Sequence, residues 1–159
     1  MLVERGWSIA SAGSTISVVL WLAVVSVPLG GFVADRTKRP ELVLVAGCVV
    51  FAMLMTALPR SGSVVLIVIA LGLISGLPAG PIMSLPAGVL RPQTRAIGMG
   101  LFFTMFYGCT MLGPAVGGAC AKWAGTAAAA FDFGAAMILA CPVLLWGFNR
   151  IPAAVPKAA

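Results

Sequence analysis

The chain has 159 residues, of which 61% are hydrophobic and 9% charged, with a formal net charge of +6 and a mean hydropathy of +1.11. A soluble domain carries about a quarter charged residues, so this composition excludes one: too few charges exist to clothe a water-facing surface. The basic residues stand in short clusters between apolar runs, the pattern of membrane-flanking charge, and no aromatic-plus-basic groove for nucleic acid is present.

The first apolar run covers about 13–34 and carries Ser14, Thr15, Ser17 and Ser26. Glu4 and Arg5 before it cancel, and no short apolar core with a small-residue cleavage site precedes it, so the segment is expected to be retained. The densest charge cluster of the chain follows, within Gly31-Phe32-Val33-Ala34-Asp35-Arg36-Thr37-Lys38-Arg39-Pro40, and Glu41 closes it. The second run covers about 42–59 and ends at Arg60.

The third run, about 64–90, carries Gly72, Gly76 and Gly80 at steps of four, then Pro78, Pro81 and Pro86. Small residues at that step share one helix face and admit a close neighbour, and each proline removes a backbone donor and bends the helix. Ser75 is its polar candidate for lining a path. The fourth run, about 96–121, places Thr104, Tyr107 and Met111 on one face by steps of three and four. Gly113, Pro114 and Gly117 repeat the small-residue step with a proline inside it. Two kinked, closely packed helices suit a protein whose parts rock against each other. The fifth run, about 126–148, holds Asp132, the acidic residue standing inside a run. An intramembrane carboxylate is a candidate for proton coupling, while a position near a helix start suits an interfacial anion, and the second reading is preferred.

Spanning a bilayer takes roughly 20 apolar residues, so five runs give five helical spans and an all-α integral membrane fold. With five spans the loops sort into two sides. One holds Arg36, Lys38, Arg39, Arg91, Arg95, Arg150 and Lys157, and the other Arg5, Arg60 and Lys122. The excess puts the first side, and the C-terminus, in the cytoplasm. Residues 151–159 read as a cytoplasmic tail. The charged fragment before the first run has the character of a loop between helices, so at least one further helix is expected upstream.

Candidate path-lining hydroxyls are Ser14, Ser17, Ser75, Thr104 and Tyr107, although a lone hydroxyl in a membrane helix more often bonds its own backbone. The four cysteines form no CxxC pair and read as small packing residues. Without a histidine, a metal cluster, paired carboxylates or a nucleophile beside a base, no enzyme is expected and no metal or cofactor is implied.

Gly31-x-x-x-Asp35-Arg36-x-x-Arg39, at the cytoplasmic end of a span, resembles the signature loop of the major facilitator superfamily of secondary transporters. Gly113-Pro114-x-x-Gly117-Gly118 is similar to the Gly-Pro-rich stretch of that family's helix five and, more loosely, eleven. Arg91-Pro92-Gln93-Thr94-Arg95, feeding a Gly-rich helix, resembles the C-terminal half, as does the end of the chain soon after the fifth span. The resemblance implies helices eight to twelve, most of one six-helix half, in residues 1–150. It implies secondary active transport of a small solute by alternating access in the bacterial inner membrane, with a proton as candidate coupling partner. Overall character is most similar to the cyanate and nitroimidazole transporter-like branch. Thr37-Lys38-Arg39 departs from the Gly-Arg or Gly-Lys typical after the Asp-Arg pair, and five spans depart from twelve. A further helical half is therefore expected for full function, the rival being a non-transporting membrane remnant that pairs with another half through its glycine faces. In the family the loop carboxylate helps to close the cytoplasmic gate. Here Asp35 would meet the positive N-terminal end of the fourth span, and Arg36 and Arg39 would meet carboxylates or lipid headgroups.

Overall fold

The structure is a computed structural model and describes residues 6–90 and 92–150. Glu4, Arg5, Arg91 and the tail expected over 151–159 lie outside the described residues. Regular structure among the described residues is entirely α-helical: α1 Ile9–Thr37, α2 Pro40–Ala57, α3 Val64–Ile74, α4 Gly76–Val89, α5 Arg95–Ala124 and α6 Ala128–Asn149. Five helical stretches are long and apolar enough to cross a membrane, the third of them running from α3 into α4. The chain is a multi-pass integral membrane protein.

Each helix end has a local cause. Ser8 caps α1, its Oγ accepting the Ser11 N–H at 3.1 Å. The helix outruns the apolar stretch and stops at Thr37, because Lys38 takes the left-handed conformation (φ 52°) and returns its N–H to the Asp35 carbonyl. Pro40 then opens α2 at a position where its missing N–H costs nothing, with Glu41 at the positive end of the dipole. The charged cluster is therefore two helix ends joined by Lys38 and Arg39, and not an extended loop. Its side chains can reach water while the backbone stays hydrogen-bonded.

The third span is not one helix. Pro78 has no N–H for the Ile74 carbonyl, and its ring crowds that carbonyl. The break falls there, at Ser75, between α3 and α4.

α1 lies along α3 and α4, α2 packs on α6 and α4, and α5 rests mainly on α6. Leu58, Val64, Val68 and Leu71 form the buried core, flanked by Val19, Phe51, Leu54 and Phe131. α5 buries little more than Gly117. The apolar side chains left open on α1 and α5 cost nothing in a bilayer, since lipid tails are as apolar as they are.

The α2–α6 seam is antiparallel and in register. Arg60 meets Asp132 at one end, Met55 faces Gly134 in the middle, and the Cys48 thiol meets that of Cys141 further along. Oxidation of the membrane-embedded protein with copper phenanthroline should join Cys48 to Cys141 through a disulfide, mapped by peptide mass. Cys48→Ser should abolish it. A cross-link from Cys109 to either residue would contradict the register.

Candidate solute path and gating loop

A cavity of about 530 Å³ opens between the first turns of α1, α3 and α6 and the last turns of α2 and α5. Thr15, Val19, Leu58, Val68, Ala121 and Phe131 are among its walls. Thr15 supplies the polar side chain of this lining, and its Oγ1 donates to the Ser11 carbonyl at 2.8 Å. The volume suits a small molecule, and the walls suit its apolar part.

Beside this cavity stands an ion pair. Arg60 follows Leu58, Asp132 follows Phe131, and both of these neighbours line the cavity. The Arg60 Nη1 and Nη2 donate to Asp132 Oδ1 and Oδ2 at 2.9 and 2.8 Å, and Nη1 also donates to the Thr56 carbonyl at 2.6 Å. Two parallel bonds are the strong form of this contact. They push the Arg60 guanidinium pKa above its ordinary value. The pair ties the end of α2 to the start of α6, with about half of each side chain exposed (58% and 42%). Asp132 thus has a dedicated partner that sequence spacing did not single out.

The candidate path hydroxyls divide into two groups. Ser14, Ser17 and Thr104 are exposed, and each donates back into its own helix, to Ala10, Gly13 and Gly100. Their oxygens keep lone pairs for a solute. Tyr107 is 60% exposed on the open face of α5, stacked on Phe103 with centroids 6.1 Å apart and edge-on to Phe106 at 5.5 Å. Ser75, by contrast, lies in the α1 seam, its Oγ 3.1 Å from that of buried Ser26. The Gly76 N–H also donates to Ser26 Oγ, at 2.9 Å.

The glycines of the third span face α1. Gly72 lies on Leu22, Gly76 on the Ser26 backbone, and Gly80 on Gly30 and Gly31. A Cβ at Gly76 or Gly80 would overlap backbone atoms, so these positions need glycine for close approach. Gly30, against Gly76, and Gly47, against Pro78, belong to the same packing and were missed from sequence. The Ser26–Gly30 step of four on α1, matching that of the third span, was the available signal. On α5, Gly117 approaches Ala130, with 3.9 Å from its Cβ position, whereas Gly113 faces open space and Pro114 is exposed.

In the candidate gating loop, Gly31 sits at the α4 seam, and Asp35, Arg36 and Arg39 are exposed. α5 starts at the same end of the bundle as this loop. No hydrogen bond or ion pair joins the Asp35 carboxylate to the α5 N-terminus among the described residues.

A family model described as the Major Facilitator Superfamily matches residues 1–159. No curated protein and no solved structure matches.

Proposed function

The chain belongs to the Major Facilitator Superfamily, a family of membrane transporters, and from this premise we propose that it takes part in secondary active transport of a small solute by alternating access. The observation that carries the reading is the family match over residues 1–159 together with the five membrane-spanning stretches. Thr104 and Tyr107 on the open face of α5, with Ser14 and Ser17 on α1, supply the polar groups of the path in this reading. The spans correspond to helices eight to twelve, supported by the Gly31–Arg39 motif and the turn before α5. Affinity to the cyanate and nitroimidazole transporter-like branch rests on overall sequence character alone. The excess of basic residues at the Asp35 end supports a cytoplasmic placement of that end, in the bacterial inner membrane.

A further helical half completes the path in this proposal. Its support is the open face of α5, where Gly113 has no neighbour and Tyr107 no partner helix. Asp35, exposed in this arrangement, is the group proposed to reach the α5 N-terminus when the gate closes. The test is reconstitution in proteoliposomes with a panel of labelled small anions and neutral solutes, with and without an imposed pH gradient. Uptake should require co-reconstitution of a second half, and Asp35→Asn should shift inward against outward cysteine accessibility severalfold in that complex. Uptake by this chain alone would contradict the need for a second half, and no uptake in any combination would favour a pairing role without transport.

A further inference from the structure

As first and third spans, α1 and the α3–α4 pair run parallel through the bilayer. Three of their contacts share one offset along their length: Leu22 meets Gly72, Ser26 meets Gly76, and Gly30 meets Gly80, each pair 50 residues apart, with Gly30 also lying against Gly76. The offset holds on both sides of the break at Ser75. α1 therefore lies along both pieces of its neighbour. It contains a proline of its own, Pro28, and Pro78 stands at the same offset from it. Pro28 leaves the Val24 carbonyl without an amide, as Pro78 leaves that of Ile74. The two weak points lie side by side at one depth.

The hydrogen bonds at that level can be assigned proton by proton. The Ser75 hydroxyl donates to the Gly72 carbonyl at 2.7 Å, the acceptor that an uninterrupted helix gives to the Gly76 N–H. The Ser75 proton being used there, the 3.1 Å contact between the two hydroxyls is donated by Ser26. Ser26 Oγ in turn accepts the Gly76 N–H. One helical bond, Gly76 to Gly72, is thus opened and carried through two hydroxyls, one of them from the neighbouring helix. An opened turn in a membrane persists where side chains satisfy the freed backbone, and that condition is met here. Ser26 is 3% exposed, and no buried polar side-chain atom among the described residues is unsatisfied.

We propose that α1 and the broken third span form a matched double hinge, in which Ser26 couples two proline breaks at one depth so that both helices bend as a single unit. Its role rests on the alternating-access reading, the portion beyond the hinge being the one that ends in the Asp35 turn. Its test reads the backbone directly and needs no solute.

Ser-Gly occurs twice in the chain, at Ser61-Gly62 and Ser75-Gly76. Labelling with ¹³C′-serine and ¹⁵N-glycine therefore isolates two amide signals, with exposed Gly62 as the internal control. In the lipid-reconstituted protein, Ser26→Ala should speed hydrogen exchange at Gly76 about threefold, the factor given by loss of one hydrogen bond between membrane helices, and leave Gly62 unchanged. Pro28→Ala straightens α1 alone, draws Ser26 off the break and should speed Gly76 by a similar factor. Combining Pro28→Ala with Pro78→Ala straightens both helices and should return Gly76 to the wild-type rate or slower. Unchanged exchange in Ser26→Ala or in Pro28→Ala would overturn the hinge. So would a double variant exchanging as fast as Pro28→Ala.

Discussion

Gly76→Val will separate α1 from the third span, whereas Gly113→Val, an identical change in a helix of the same bundle, will be tolerated. At Gly76 the added carbon would overlap the Ser26 backbone, which cannot move aside as a flexible side chain could. Gly72 and Gly80 hold the helices together on either side, so the strain has no local outlet. Overpacking of this kind costs about 3 kcal/mol, and loss of the Ser26 bonds adds roughly 0.6 kcal/mol each. At Gly113 nothing lies within 4 Å, and the effect should stay within about 0.5 kcal/mol. Unfolding in mixed micelles against added dodecyl sulfate, followed by circular dichroism, measures both. Equal midpoints for the two variants would show that the close approach does not hold these helices.

The second large effect concerns the Arg60–Asp132 clamp. Arg60→Asp faces Asp132 with a like charge, and Asp132→Arg does the same to Arg60. Each single reversal should lower the monodisperse fraction after extraction severalfold. The double reversal should recover most of it, because the two-pronged geometry needs one partner of each kind but not a fixed order. Asp132→Asn separates anchoring from proton coupling. Anchoring predicts lower thermal stability with an unaltered pH profile of any uptake measured in proteoliposomes. A profile displaced by Asp132→Asn would assign the carboxylate to coupling.

The five spans were legible because about 20 apolar residues in a row have few other uses. What lay between the runs was less so. The cluster at 35–41 reads as a loop by charge, yet charge does not end a helix. The left-handed turn at Lys38 does, and lysine has no strong preference for it. Three prolines announced a bend in the third span without saying which one opens it. That depended on Ser26, a residue of another helix, offering a hydroxyl to Gly76. Asp132 was visible as a charge, but its partner is 72 residues away, at the opposite end of the chain's middle. Only the alternation of spans, which puts the end of the second beside the start of the fifth, hinted at the pairing. Gly113 and Gly117 looked equivalent by spacing, and one is buried while the other faces open space. Spacing places residues on a face but does not tell which face meets a neighbour.

The turn at Lys38 and Arg39 also limits how force travels. Two residues reach at most about 7 Å, and here they are already folded back into a turn. The link has no slack. The end of α1 is therefore tied to the start of α2 with no free chain between them, and α2 in turn packs along α6, whereas α5 rests mainly on α6 alone.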